Sequence, residues 1–231
     1  MEKYRHQLGR RAIMMVAGIL LIGISVGLFR LAAFGVDPFS CMNMGISGFL
    51  GMSFGNWQLI ANILLLIVVF FTIRSFIGPG TVVNMVFVGY IADFICWLAQ
   101  EAGLQFPLAL RIVLLLIGTV MTCAGAAVYM AADLGIAPYD AAAYVLQKAV
   151  KNRIAFRWAR IITDFFCVGV GTLFCLLANN ELSAIVGIGT IITAFLTGPL
   201  IQFFRVHVAE PLLGQQGKSE NLQAAAVKKS A

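Results

Sequence analysis

The sequence predicts an all-α membrane protein with about six transmembrane helices and two short, half-length or re-entrant ones, built as two inverted repeats. Three observations lead there. Of 231 residues, 61% are hydrophobic and 11% charged, whereas a soluble domain carries roughly 25% charged residues. So few charges leave too little polar surface to cover a water-facing globule. The apolar residues fall in runs as long as a bilayer is thick, and a short Gly/Pro motif occurs twice.

A helix crossing about 30 Å of hydrocarbon at about 1.5 Å per residue needs about 20 apolar residues. Six runs reach that length, at roughly 11–33, 57–77, 80–100, 108–131, 158–177 and 183–204. Turn-forming stretches separate them: Gly78-Pro79-Gly80, Gly103 to Pro107, and Asn179-Asn180-Glu181. The first run, Ala12 to Ala33, exceeds a signal-peptide core of about 7–15 residues and is read as an uncleaved helix. The chain then divides into a cytoplasmic tail (1–10), a first membrane repeat (11–100), a linker (101–107), a second membrane repeat (108–204) and a cytoplasmic, disordered tail (205–231). Two stretches are poor crossings. One, 38–54, contains Gly45, Gly48 and Gly51; the other, Pro138 to Gln147, reaches only about half the hydrocarbon thickness. Such backbone survives at membrane depth only when protein or a water-filled cavity covers it.

The net charge of +6 is placed for a membrane rather than for nucleic acid. Lys3, Arg5, Arg10 and Arg11 precede the first run, Lys148, Lys151, Arg153, Arg157 and Arg160 surround one loop, and Arg205, Lys218, Lys228 and Lys229 follow the last. These are the flanks that the positive-inside rule assigns to the cytoplasm, so both termini are expected there. No soluble domain exists to carry a nucleic-acid stripe. The five cysteines lie in apolar stretches without CxxC or His/Cys ligand spacing and read as buried free thiols. No metal site, cofactor or catalytic residue is expected. The chain has no GxSxG, HExxH or P-loop signature, and His6 and His207 merely flank membrane segments.

A shift of 100 positions sets Gly35 on Gly135, Pro38 on Pro138 and Phe39 on Tyr139; Trp57 and Trp158 then open the next crossing of each half. Gly78-Pro79-Gly80-Thr81 matches Gly187-Ile188-Gly189-Thr190, and Gly89 matches Gly198. If each half contributes three crossings, the second enters from the opposite side and equivalent loops should differ in charge. They do: Ser53 to Asn56 is uncharged, while Lys148 to Arg157 is strongly basic, and Arg74 stands opposite Glu181. A parallel arrangement with eight crossings is the competing topology.

The motif is G-[V/I]-x-P-[F/Y]. Glycine permits a tight break after a helix, and proline suits the first turn of the next. Each copy predicts a short helix whose unpaired N–H groups carry partial positive charge. Paired broken helices near the midplane form the substrate site of many repeat-built transporters; the alternative is a plain interfacial turn. Substrate-binding candidates are therefore Asp37, Pro38, Ser40, Pro138, Tyr139 and Asp140. Ionisable residues within apolar runs are costly, which makes Asp93 and Asp164 coupling or ion-pair candidates. Arg30 is placed to pair with Asp37, or to snorkel, and Asp37 to cap a helix. Trp57, Trp97 and Trp158 read as interfacial anchors; Gly78, Gly80, Gly89, Gly187, Gly189 and Gly198 read as close-packing positions.

On Gly35-Val36-Asp37-Pro38, Gly135-Ile136-Ala137-Pro138-Tyr139-Asp140 and the two Gly-x-Gly-Thr elements, residues 11–204 resemble the YczE/YitT-like group of bacterial integral membrane proteins, nearer its YczE-like side. The resemblance implies a bacterial cytoplasmic-membrane protein that moves small molecules, antibiotics or other metabolites among them. Ala137 replaces Asp37 in the second copy and Asp140 replaces Ser40, so a carboxylate site cannot be symmetric. The expected function is a small secondary transporter or exporter with a cavity between the halves, with proton coupling through Asp93 or Asp164 as an extension. The alternative is a non-transporting scaffold that docks a partner through the basic 148–160 loop. The expected partners are the lipid bilayer and a small-molecule substrate; a homo-oligomer is compatible with the composition.

Overall fold

The computed structural model describes residues 2–213 apart from 152, 155, 180 and 181. Among the described residues every regular element is helical: α1 (Glu2–Ala32), α2 (Pro38–Leu50), α3 (Phe54–Thr72), a 3-10 turn (Arg74–Phe76), α4 (Pro79–Glu101), α5 (Leu108–Ala131), α6 (Pro138–Ala149), α7 (Phe156–Leu177), α8 (Leu182–Ile185), α9 (Ile188–Phe204), a π-turn (Arg205–Ala209) and α10 (Glu210–Leu213). Six segments are long and apolar enough to cross a membrane: Leu8–Ala32, Phe54–Thr72, Pro79–Glu101, Leu108–Ala131, Trp158–Leu177 and Ile188–Leu213. Large apolar side chains cover their outer faces; Phe71 is 82% exposed and Ile188 69%. In water that surface would aggregate, whereas against lipid tails it is matched.

The ends of these helices have local causes. The second crossing begins earlier than the expected 57 because the Ser53 hydroxyl accepts the Asn56 N–H at 3.3 Å and caps α3. The last crossing corrects the expectation of a disordered tail from 205. The helical path continues through Leu213, because Arg205 pairs with Glu210 at 3.6 Å and buried Ala209 belongs to the core. The remainder of that expected tail, together with Glu181, lies outside the described residues.

α2 and α6 have 13 and 12 residues, or about 20 and 18 Å of helix, well short of a crossing. Pro38 and Pro138 occupy their first turns. The chain reaches each helix through a glycine in the left-handed region, Gly35 at φ +93° and Gly135 at φ +114°. At each of these breaks the backbone docks on a distant turn. Gly189 N–H donates to Phe34 C=O (2.7 Å) and Val36 N–H to Ile185 C=O (3.2 Å); likewise Gly80 N–H donates to Leu134 C=O (2.8 Å) and Ile136 N–H to Phe76 C=O (3.0 Å). Thr190 and Thr81 send their hydroxyls to Ile185 C=O (3.2 Å) and Phe76 C=O (3.3 Å). Backbone groups freed by each helix break are therefore met by protein, as the bilayer interior demands.

α1 and α5 form the central pair. Gly18 of α1 lies against Gly125 and Tyr129, while Phe29 lies against Gly118. Positions rise along one helix as they fall along the other, so the two run antiparallel. An arginine closes each end. Arg11 donates to Ala132 C=O (2.9 Å), and Arg111 donates to Ala32 C=O (2.7 Å) and Ala33 C=O (2.8 Å). These carbonyls end helices and lack intrahelical partners, so the cations satisfy them and oppose the negative dipole end.

The short helices flank this pair. α2 runs parallel to α7: Cys41 approaches Val168, and Phe49 meets Phe174 with ring centroids 5.3 Å apart. Gly45 and Gly171 touch backbone to backbone between them, leaving no room for a side chain at Gly45. α6 lies along α3, where the Lys148 ammonium donates to Thr72 C=O at 3.0 Å. Gly198, expected to pack closely, has nothing within 4 Å of where a Cβ would stand, because α9 turns that face outward.

Candidate functional site

The first turns of α2 and α6 meet. Phe39 and Tyr139, each following its proline, stack with ring centroids 4.3 Å apart and planes 13° from parallel. Ala61, Cys167 and part of Trp57 complete the apolar wall around them. Trp57, expected as an interfacial anchor, thus turns inward, and its Nε1 is buried without a hydrogen-bond partner. Trp97 and Trp158 remain more than half exposed.

A charged network adjoins this stack. From α7, Arg160 pairs through Nη1 with Asp140 Oδ1 at 2.7 Å and through Nε with Asp164 Oδ1 at 3.2 Å, one helical turn ahead. Its guanidinium lies 4.3 Å above the Tyr139 ring. Tyr139 donates its hydroxyl to Asp164, and Tyr129 of α5 donates to Asp140. Asp164 is only 8% exposed. Asp37 caps α2, its Oδ1 accepting the Ser40 N–H at 3.1 Å, and it stands close enough to Arg160 for a favourable charge interaction. Ala137, at the corresponding place in α6, supplies no side-chain cap, and Asp140 provides the negative charge inside the first turn instead. Of the sequence candidates, Asp37, Pro38, Ser40, Pro138, Tyr139, Asp140 and Asp164 thus come together around two helix N-termini.

Arg30 and Asp93 belong to a different network. Arg30, expected to pair with Asp37 or to snorkel, pairs with Asp93 and not with Asp37. Gly23 and Gly27, on the same face of α1, lie against Ile91 and Ile95 of α4, which points Arg30 at Asp93. Arg30 Nη1 meets Asp93 Oδ1 at 2.6 Å, and Gly55 N–H donates to Asp93 Oδ2 at 2.7 Å. The Arg30 guanidinium also stands 4.8 Å from the Phe54 ring. Asp93 thereby joins α1, α4 and the start of α3.

Arg160, Tyr129 and Trp57 were not foreseen as members of the site. By sequence Arg160 reads as one of the basic residues around a cytoplasmic loop. Its i,i+4 spacing to Asp164 was the available signal, since that spacing puts both on one helix face. Arg11 and Arg111 stand 100 positions apart like the motif, a relation that the sequence also carries. Among the described residues no group of three or more His, Cys, Asp or Glu side chains is disposed to hold a metal ion.

Two Bacillus subtilis (strain 168) proteins are similar along most of their length. The membrane protein YczE is 25% identical over 188 residues, 81% of each chain, and YyaS is 23% identical over 205 residues, 88% of this chain and 94% of that one. No solved structure matches. Residues 9–206, from the first crossing into the last, match the family of unknown function DUF6198. The chain belongs to that family and is similar to the membrane protein YczE.

Proposed function

We propose that this protein is a secondary transporter of small molecules in the bacterial cytoplasmic membrane. In this reading two inverted repeats carry α2 and α6 as half-length helices, and the solute site lies where those helices begin. The meeting of their N-termini at Phe39 and Tyr139, beside Arg160 and three carboxylates, carries the reading. Buried charge at membrane depth is expensive, and it is kept where a solute or ion must be handled. The matched junctions at Gly35 and Gly135 and the antiparallel α1–α5 pair support inverted repeats. The docking alternative has less behind it, since Arg160 and Lys148 of the basic loop turn to partners within the chain. No catalytic step is assigned to any residue.

Transport is tested in proteoliposomes, by measuring charge movement while a panel of amines, amino acids and antibiotics is applied. Wild-type protein is expected to respond to a subset, and Tyr139→Ala to lose at least 90% of that response, a roughly tenfold effect of the size that one misplaced binding group produces. A wild-type chain silent to the whole panel, or a Tyr139→Ala variant with undiminished response, overturns the reading. Orientation is tested separately. Ser53→Cys is expected to label with membrane-impermeant maleimide from outside the cell, and Ser75→Cys only from the cytoplasmic side. The reverse pattern, or both on one side, excludes inverted repeats with cytoplasmic termini.

A further inference from the structure

The acidic residues at membrane depth differ in how fully their oxygens are occupied. Asp93 spends Oδ1 on Arg30 and Oδ2 on Gly55 N–H. Asp140 spends Oδ1 on Arg160 and Oδ2 on the Tyr129 hydroxyl. Asp164 Oδ1 takes both Arg160 and the Tyr139 hydroxyl. Asp37 alone in this set has a buried oxygen, Oδ2, that no N–H or cation reaches, with the Ser40 hydroxyl the polar group that faces the same carboxyl. An unmet buried carboxylate oxygen costs at least the desolvation of the group while it is charged, and a proton on that oxygen removes the charge.

Charge counting gives the size of what is missing. Facing Asp37 are Arg160, Asp164 and Cys167 from α7 and Cys41 from α2 itself, with Asp140 of α6 joined through the shared Arg160. Three carboxylates stand against one guanidinium. The N-termini of α2 and α6 contribute about half a positive charge each, which leaves about one negative charge unmatched. A proton supplies that amount and needs only one oxygen. A metal cation needs a shell of several oxygens, and the described residues offer no such group. The second half has Ala137 where the first has Asp37, so the proton site is single.

We infer that Asp37 Oδ2 is the proton-exchanging atom of this protein, and that Asp93, Asp140 and Asp164 are fixed structural partners. Its coupling role rests on the transporter reading above. In the loading step a hydronium ion reaching the site gives its proton to Oδ2, forming an O–H bond and leaving water. In the release step that bond breaks to a water on the opposite side, restoring the carboxylate with no change of oxidation state. Protonation removes the charge that Arg160 shares with Asp37, so Arg160 is then held by Asp140 and Asp164 alone.

Infrared difference spectroscopy of the purified protein in liposomes tests this without any substrate, by following the carboxylic-acid C=O stretch as pH is lowered. Beyond the bands of the exposed carboxylates such as Glu101 and Asp133, which titrate in every variant, one further band is expected in the wild type, lost in Asp37→Asn and retained in Asp93→Asn and Asp164→Asn. Asparagine is as good an N-cap as aspartate, so Asp37→Asn should keep α2 and unfold at the wild-type temperature. A titrating spectrum that Asp37→Asn leaves unchanged, or a further band that vanishes in Asp164→Asn instead, overturns the inference. So does a wild type in which only the exposed carboxylates titrate, even if it moves solute, and that result leaves the transporter reading standing. If the Asp37 band titrates and no solute moves, the proton site stands and the transporter reading with its coupling role falls.

Discussion

Replacing Arg160 by methionine is expected to lower the unfolding free energy by about 3–5 kcal/mol, the cost of removing one partner from a buried ion pair. The mechanism is specific to what remains. Asp140 and Asp164 keep their tyrosine partners but lose the one cation that stands within salt-bridge distance of either among the described residues. Two ionised carboxylates would then face each other and Asp37 in a low-dielectric interior. Lysine is not expected to rescue the loss. Its point charge cannot reproduce a guanidinium that meets two carboxylates and lies flat over the Tyr139 ring. Adding Asp140→Asn to Arg160→Met should recover part of the stability by removing one stranded charge. Reversible unfolding in mixed micelles reads these values. A loss under about 1 kcal/mol for Arg160→Met would put the pair in the class of exposed salt bridges and remove it from the buried network.

A change of similar size is expected at the helix break before α6. Gly135 sits at φ +114°, and a Cβ there would lie 2.7 Å from Gly78 N and 2.8 Å from Gly78 Cα. The backbone conformation alone costs an L side chain about 1–3 kcal/mol, and the overlap is with main-chain atoms that cannot rotate away. Gly135→Ala should therefore cost about 3 kcal/mol or more. Gly35→Ala should behave alike, since Gly35 has φ +93° and meets Gly187 N at 2.5 Å. Gly169 is the control: nothing lies within 4 Å of its would-be Cβ, so alanine there should be neutral or stabilising by up to about 1 kcal/mol through helix propensity. Equal effects at positions 135 and 169 would mean that the break is not close-packed.

Much of the architecture was legible because one physical rule governs each part of it. Run length against bilayer thickness locates the crossings, and a glycine followed three positions later by a proline locates each helix break. Both signals lie within a few neighbouring residues. The polar pairings were not legible, because they depend on which face of a helix meets which neighbour. Arg30 lies seven positions from Asp37 but pairs with Asp93, since Gly23 and Gly27 on the same face admit α4. Arg160 reads as a loop cation until the α7 start is seen to put it one turn from Asp164. Trp57 reads as an interfacial anchor by its place at a run end, but the Ser53 cap starts α3 earlier and carries Trp57 inward. The continuation through Leu213 was missed for a related reason. Arg205 and Glu210 look like the polar start of a tail, and they in fact neutralise each other.

The junctions at Gly35 and Gly135 also bear on the order of assembly during synthesis. Val36 needs the carbonyl of Ile185, and Phe34 needs the amide of Gly189. When the first three crossings have left the ribosome, the segment that completes the Gly35 break has not yet been made. Until about residue 190 emerges, those backbone groups must find other partners, in water at the interface or in the translocation machinery, because lipid offers none. The early half is thus a nascent chain held open, and a truncation before residue 185 should leave a degradation substrate instead of a smaller working unit.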